Sequence, residues 1–475
     1  MSNNSGQNKV GLVGLTALTV SSVLGGGIFN LMSDMAQISA AGPSTIALLI
    51  SGIGMATFVF CLQNLTFQYP ELDAGIYSFP DKAFGRFVGF ISAVGFWFSI
   101  FLGNVALGTL AMSSLAYFFP IFGDGQNIYA VICASVLLWL MHYVITKGSD
   151  FASKINNFIT VAKLIPVAIF IITIILAFDF GVFTTDFWGA ASQGFNVSEV
   201  APQLKGSLIA TVWVFVGVDG AVTYSGRAKS KSVVRQATIL SFLILTSVYL
   251  LATVLSYGIL TQPELASLEK PAMAGVLESV VGSWGAILIN LGVIISAIGT
   301  WFACTMFAGE ILYQGTKDSI FPKFLAKENK YGAPVNALLV SDILVQIFFF
   351  SLLINASAYN FTAILASSTM LVTYLFISMA QVKLPGEVSQ GKNITLGIVS
   401  SLYMVFAIWA SGMDYILLTS LLFAPFIALY VVAQREAGNK KVFTKPEWIG
   451  VIILILLAFL SIFAIFTGTI DITQM

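Results

Sequence analysis

The 475-residue chain is 57% hydrophobic and only 9% charged, where a soluble globular chain carries roughly 25% charged residues. Lys+Arg and Asp+Glu balance at 22 each, so there is no basic footprint for nucleic acid, and no nucleic-acid partner is expected. One His and three cysteines in separate apolar runs (Cys61, Cys133, Cys304) give neither metal-ligand spacing nor a disulfide framework. With no HExxH, GxSxG or GxxxxGK[ST] motif either, no enzyme, metal, cofactor or nucleotide-driven pump is expected.

These numbers define an all-α polytopic membrane protein whose first partner is the lipid bilayer. A crossing needs about 20 mostly apolar residues. Thirteen such runs follow one another, near 11–33, 42–64, 87–119, 128–147, 155–178, 206–225, 236–260, 283–313, 335–354, 360–382, 394–411, 414–434 and 447–468. The first is too long and too glycine-rich for a cleaved leader and is expected to be retained. No polar stretch is long enough for a separate soluble domain, so residues 1–475 are expected to form a single transmembrane domain.

Charge gives an orientation, because cytoplasmic loops collect Lys and Arg. With the N-terminus inside and thirteen alternating spans, 19 cations fall inside, only Lys205 and Lys270 fall outside, and Lys163 is left within a span. A missed or invented span would scramble that division. A cell-membrane protein with a cytoplasmic N-terminus and an extracellular C-terminus is the expectation.

The first span contains "SSVLGGGIF", with Gly25, Gly26 and Gly27 in a row. Glycines there weaken a helix that must satisfy its own backbone in lipid. The sixth span carries "VFVGVDGAVTYSG", with Gly217, Gly220 and Gly226. Glycine-interrupted spans in matching positions of two halves point to an inverted repeat with a central site. The halves are expected at 11–178 and 206–382, with additional helices at 394–468. A break at Gly25–Gly27 frees N–H groups at the positive end of a half-helix, where a carboxylate can bind. Tight helix packing is the other reading of the same glycines.

Four further residues stand out for their depth. Asp219 could hold a proton, bind a cation, polarise a gate or cap loose N–H groups. Lys163 lies among apolar neighbours, or snorkels toward Lys154. Trp213 precedes the second break and either stacks on substrate or packs. Asn104 either orients substrate or bonds a neighbouring helix. Glu310 is expected to be structural, and His142 an interface residue without chemistry.

The segments "VGLTALTVSSVLGGGIF", "YPELDAGIYSFPDKAFGRFVGFISAVGFWFS", "IFLGNVA", "INNFITVAKLIP", "VWVFVGVDGA" and "KDSIFPKFLAKENKYGAPVNAL" resemble the amino acid–polyamine–organocation superfamily, in its basic amino acid/polyamine antiporter branch. The resemblance covers nearly the whole chain. It implies a LeuT-type 5+5 inverted repeat plus additional C-terminal helices, working by alternating access. It implies that Gly25, Gly26 and Gly27 bind the substrate carboxylate with Val23 alongside, and that Trp213, with Val216 near it, closes over substrate. It places Ser99, Ile100 and Asn104 on the pocket wall and Ser367 and Ser368 near it. Lys163 resembles a lysine that replaces sodium in some relatives, and Asp219 stands where a Glu is usual. Cys304 falls where arginine exchangers carry a Trp that stacks on guanidinium, with Trp301 one turn earlier. Gly26 falls where many relatives have Ser.

The resemblance therefore implies a sodium-independent exchanger of an amino acid, cationic or polar such as histidine, ornithine or arginine, for a related amino acid or its decarboxylated amine. The small-molecule partners are that amino acid and amine, and a homo-oligomer is left open. A proton-coupled importer on the same fold is the alternative. A sensor or scaffold without transport fits poorly with a chain that has no sizeable soluble part.

Overall fold

The first predicted crossing is two helices rather than one. α1 (Leu12–Val23) and α2 (Gly27–Ala36) are separated by the non-helical residues 24–26. The structure, a computed structural model, describes residues 10–72, 75–147, 149–189, 194–215, 217–223, 228–353 and 358–471. α3 (Ala41–Gln68) returns across the bundle, and a short α4 (Gly75–Phe84) leads into α5 (Arg86–Ala116). α6 (Ile128–Thr146), α7 (Ser149–Ala177) and the short α8 (Phe180–Thr184) complete the first half.

The second half repeats the interruption. α9 (Val197–Val212) passes into a 3-10 turn at Trp213–Phe215 and then a one-turn α10 (Gly220–Thr223). α11 (Lys231–Ser256) follows, then two short helices, α12 (Gln262–Ala266) and α13 (Ala272–Val281), before the 35-residue α14 (Ser283–Lys317). α15 (Val335–Ser351) and α16 (Ala358–Lys383) end this half. α17 (Gln390–Ala410), α18 (Met413–Phe423), α19 (Ile427–Glu436) and α20 (Lys445–Phe466) form the remainder.

Nine helices among the described residues are long and apolar enough to cross a membrane. The other four predicted crossings are the two broken ones, the 17-residue α15, and α7, of which Ala162–Ala177 is the apolar part. The bundle is all-helical with α5 at its centre. The apolar stretch of α5 is 94% buried, against 22% for α20, which faces outward along most of its length. Small residues let the neighbours of α5 approach. A Cβ at Gly95 would stand 2.6 Å from Thr373 Oγ1 and 2.7 Å from the Thr369 carbonyl of α16. One at Gly108 would stand 2.6 Å from the Phe349 ring of α15.

The two faces of the bundle differ. On one, residue 10 and Ala228 form a parallel bridge, and the Lys229 N–H donates to the Val10 carbonyl at 3.0 Å. On the same face Tyr77 donates to Asp318 Oδ2 at 2.7 Å, while Arg86 donates to the Asp318 carbonyl and lies 3.6 Å from Asp81. Burial holds the Asp81 carboxyl above the usual carboxylate range, with Arg86 pulling the other way. Burial and the Asp318 carboxylate push the Tyr77 hydroxyl well up, so it stays a neutral donor. The opposite face holds a cavity of about 890 Å³ walled by parts of α2, α5, α13 and α14, with an ion pair between Lys270 and Asp34 at 3.0 Å.

Candidate functional site

The two interrupted crossings meet the middle of α5, α14 and α16 around a cavity of about 110 Å³. Its glycine wall is Val23, Gly25, Gly26 and Gly27. α2 begins at Gly27: the Gly25 N–H donates to the Val23 carbonyl at 2.6 Å and the Phe29 N–H to the Gly26 carbonyl at 3.3 Å, while the N–H groups of Gly26, Gly27 and Ile28 have no partner among the described residues. The break is held by its carbonyls, because Ser296 of α14 donates to the Leu24 carbonyl at 3.0 Å and lies 3.2 Å from that of Gly25. Glycine at this wall is favoured by space. A Cβ on Gly25 would approach Thr300 Cγ2 to 3.2 Å and Leu107 Cδ2 to 3.4 Å.

Thr300 links this wall to the lysine. Lys163 is 2% exposed and donates to Thr300 Oγ1 at 2.9 Å, and Thr300 itself lines the cavity. The second broken crossing supplies Val214, Gly217, Asp219 and Gly220. Gly217 has φ +99°, a conformation that side-chain-bearing residues avoid. Its N–H donates to the Tyr374 hydroxyl at 3.0 Å, and that hydroxyl donates to Asp219 Oδ1 at 2.6 Å. Tyr374 of α16 therefore stitches the second break together, with its ring 4.1 Å from that of Phe58.

Of the residues singled out in the sequence, Val23, Gly25, Gly26, Gly27, Ser99, Ile100, Asp219 and Cys304 line this one cavity, and Lys163 stands behind Thr300. Four are placed elsewhere. Asn104 turns to α14 and donates to Thr305 at 3.3 Å. Trp301 is fully buried, edge-on to Phe349 at 5.5 Å, and does not line the cavity on the side Cys304 occupies. Ser367 is buried and donates to the Ala363 carbonyl of its own helix. Ser368 lies on an apolar groove of about 520 Å³ between α5, α16, α18 and α20. Val216 and the side chain of Trp213 lie outside the described residues.

Glu310 accepts from Gln314 at 2.5 Å and borders a cavity of about 60 Å³ that shares Phe96 and Phe307 with the central one. His142 pairs through Nδ1 with Asp342 Oδ2 at 2.7 Å, tying α6 to α15 far from the breaks in the sequence. Sequence reasoning missed Tyr374, Thr300, Ser296 and Tyr249. Tyr249 of α11 lines the cavity, and its buried hydroxyl has no partner among the described residues. A Tyr, Thr or Ser in a long apolar run gives no signal by itself. The glycine breaks and the depth of the charged residues marked the region.

The arrangement offers helix-terminal N–H groups to an anion, a carboxylate already in a hydrogen-bond network, and apolar walls from Phe96, Ile100, Phe307 and Met370. No group of three or more possible metal ligands occurs among the described residues.

Comparison with known proteins agrees with this architecture. The family model described as amino acid permease matches residues 10–411. An arginine/ornithine antiporter of Latilactobacillus sakei is 39% identical, the alignment covering 97% of this chain and 98% of the relative. One of Pseudomonas aeruginosa is 38% identical over 98% of this chain and 99% of its own length. An arginine/agmatine antiporter of Chlamydia caviae is 36% identical over 97% and 98%. With helices, breaks and cavity as described, the chain belongs to the amino acid permease family.

Proposed function

We propose that the protein is an antiporter that exchanges an amino acid for a related amino acid or its decarboxylated amine at the central cavity. One observation supports this reading: Gly26 and Gly27, whose N–H groups have no partner among the described residues, and Asp219 of the Asp219–Tyr374 network line the same small space. An amino acid has a carboxylate for the first and an ammonium for the vicinity of the second. The names of the relatives, arginine/ornithine and arginine/agmatine antiporters, favour exchange over one-way uptake.

The cycle is alternating access without sodium. Lys163, fixed against Thr300 beside the first break, occupies the place of a coupling cation. The repeats are 11–178 and 206–382, with 394–468 outside them. The face closed by Tyr77, Arg86 and Asp318 is cytoplasmic, because the 19 cations gather on that side. The N-terminus lies on that face and the C-terminus on the other. The test is counterflow in proteoliposomes: labelled amino acid should accumulate only when unlabelled substrate is inside. Uptake of equal rate into empty vesicles would remove obligatory exchange.

A second reading is favoured by one feature. Asp219 is a buried carboxylate at the hinge of a broken helix, which is where a coupling proton would sit. Uptake into empty vesicles that follows an imposed pH gradient would establish this proton-coupled import instead.

A further inference from the structure

The polar and apolar parts of the central cavity are segregated. Helix-terminal N–H groups, Thr300 and Leu107 gather at the glycine wall. Away from it the lining is mostly apolar, from Phe96, Ile100, Val214, Phe307 and Met370, with the thiol of Cys304, the hydroxyls of Ser99 and Tyr249 and the carboxylate of Asp219. Among the described lining residues the side-chain acceptors are three neutral hydroxyls, of Ser99, Tyr249 and Thr300, and one carboxylate. Asp219 is the one carboxylate among the described lining residues, and one of its oxygens already accepts from Tyr374. The Thr300 oxygen already accepts from Lys163, which brings donors and no acceptor. Trp301, one turn before Cys304, packs on Phe349 outside the cavity.

A guanidinium carries five N–H donors and an ammonium three, and either loses its water on entering such a space. The α-ammonium of any amino acid already needs the acceptors that exist. A neutral side chain needs none, and gains by leaving water for apolar walls. The Tyr249 hydroxyl, buried and unpartnered among the described residues, can serve one neutral polar group such as a phenol.

We propose that the amino acid exchanged here has an uncharged, largely apolar side chain, aromatic or long aliphatic, and that the cavity selects against arginine and ornithine. The proposal rests on the reading of this cavity as the exchange site. It sets the selectivity of this chain apart from the substrates named for its relatives. The decarboxylated partner is then a singly charged amine with an apolar tail.

The test is binding to the full-length protein in detergent, by thermal shift and calorimetry at neutral pH, with L-phenylalanine, L-tyrosine and L-leucine set against L-arginine, L-ornithine and L-lysine. The expected result is a Kd for the best neutral amino acid at least about tenfold below that for arginine and ornithine. Arginine or ornithine binding as tightly as the best neutral amino acid, or no binding by any neutral one, overturns the proposal. Counterflow with the same panel separates the two readings. Neutral binding without exchange keeps the selectivity and removes the antiporter. Arginine exchange that neutral amino acids cannot compete keeps the antiporter and removes the selectivity. Met370→Asp adds a counter-charge to the apolar wall and should shift preference toward ornithine by about tenfold. A folded variant with unchanged preference would show that want of a carboxylate does not set the selectivity.

Discussion

The two helix breaks look alike in sequence and are built in opposite ways. The first is held by its carbonyls, through Ser296, and at the start of α2 the N–H groups of Gly26, Gly27 and Ile28 have no partner among the described residues. The second is held by a side chain that takes up its N–H: Tyr374 accepts from Gly217 and passes the hydrogen bond on to Asp219. On the reading proposed above, the first break is a receptor for an anion, and the second is a closed loop of hydrogen bonds. Interrupting a membrane helix thus has two uses, one to bind and one to bend, and the partners of the N–H groups distinguish them.

That contrast can be broken experimentally, and the largest effect belongs to the receptor. Gly26→Val should remove close approach to the N–H groups and cost about 3 kcal/mol of binding, roughly 100-fold in Kd, for any carboxylate-bearing substrate. Calorimetry on the folded variant checks this, and wild-type affinity would refute the carboxylate assignment. Lys163→Ala strands Thr300 beside the same break. Transport should fall by about tenfold, or become sodium-dependent, since a buried ammonium anchored at 2.9 Å has gone. Wild-type flux without sodium would return Lys163 to a packing role.

The hinge should respond differently. Tyr374→Phe removes both bonds of the closed loop and should cost about 2 kcal/mol of stability while leaving binding of the carboxylate intact. Thermal unfolding and Kd measured on one preparation would test that split, and an equal loss in both would merge the two breaks into one site. Asp219→Asn keeps an acceptor for Tyr374 but cannot ionise. Exchange should continue with a flatter pH profile, and an unchanged profile would take the proton role from Asp219. Smallest is Ser296→Ala, which should lower stability by about 1 kcal/mol and hardly alter selectivity.

Much of this was legible before any coordinates. Glycine clusters and isolated charges are conspicuous in a chain with so few charges, and sorting of Lys and Arg favoured thirteen crossings, of which nine are single helices long and apolar enough to span among the described residues. Helical register was not legible. On α5, Phe96, Ile100, Gly103 and Leu107 form one stripe at helical spacing, while Asn104 is turned about 100° from Gly103 and reaches α14 instead. On α14, Trp301 and Cys304 are one turn apart, and nothing in the sequence says which faces the cavity. Partners such as Tyr374 for Asp219 and Thr300 for Lys163, 155 and 137 residues away, are set by helix packing that a single sequence does not encode locally.

Phe96 and Phe307 belong to the walls of both the central cavity and the smaller one beside Glu310. Between those spaces stand two rings, one buried and one half-buried, in a packed interior that lets a ring turn only when its neighbours give way. Farther along, where α14 ends, Asp318 receives Tyr77 and Arg86. A passage leading through the smaller space would therefore meet two barriers of different make, apolar rings first and a set of polar contacts second.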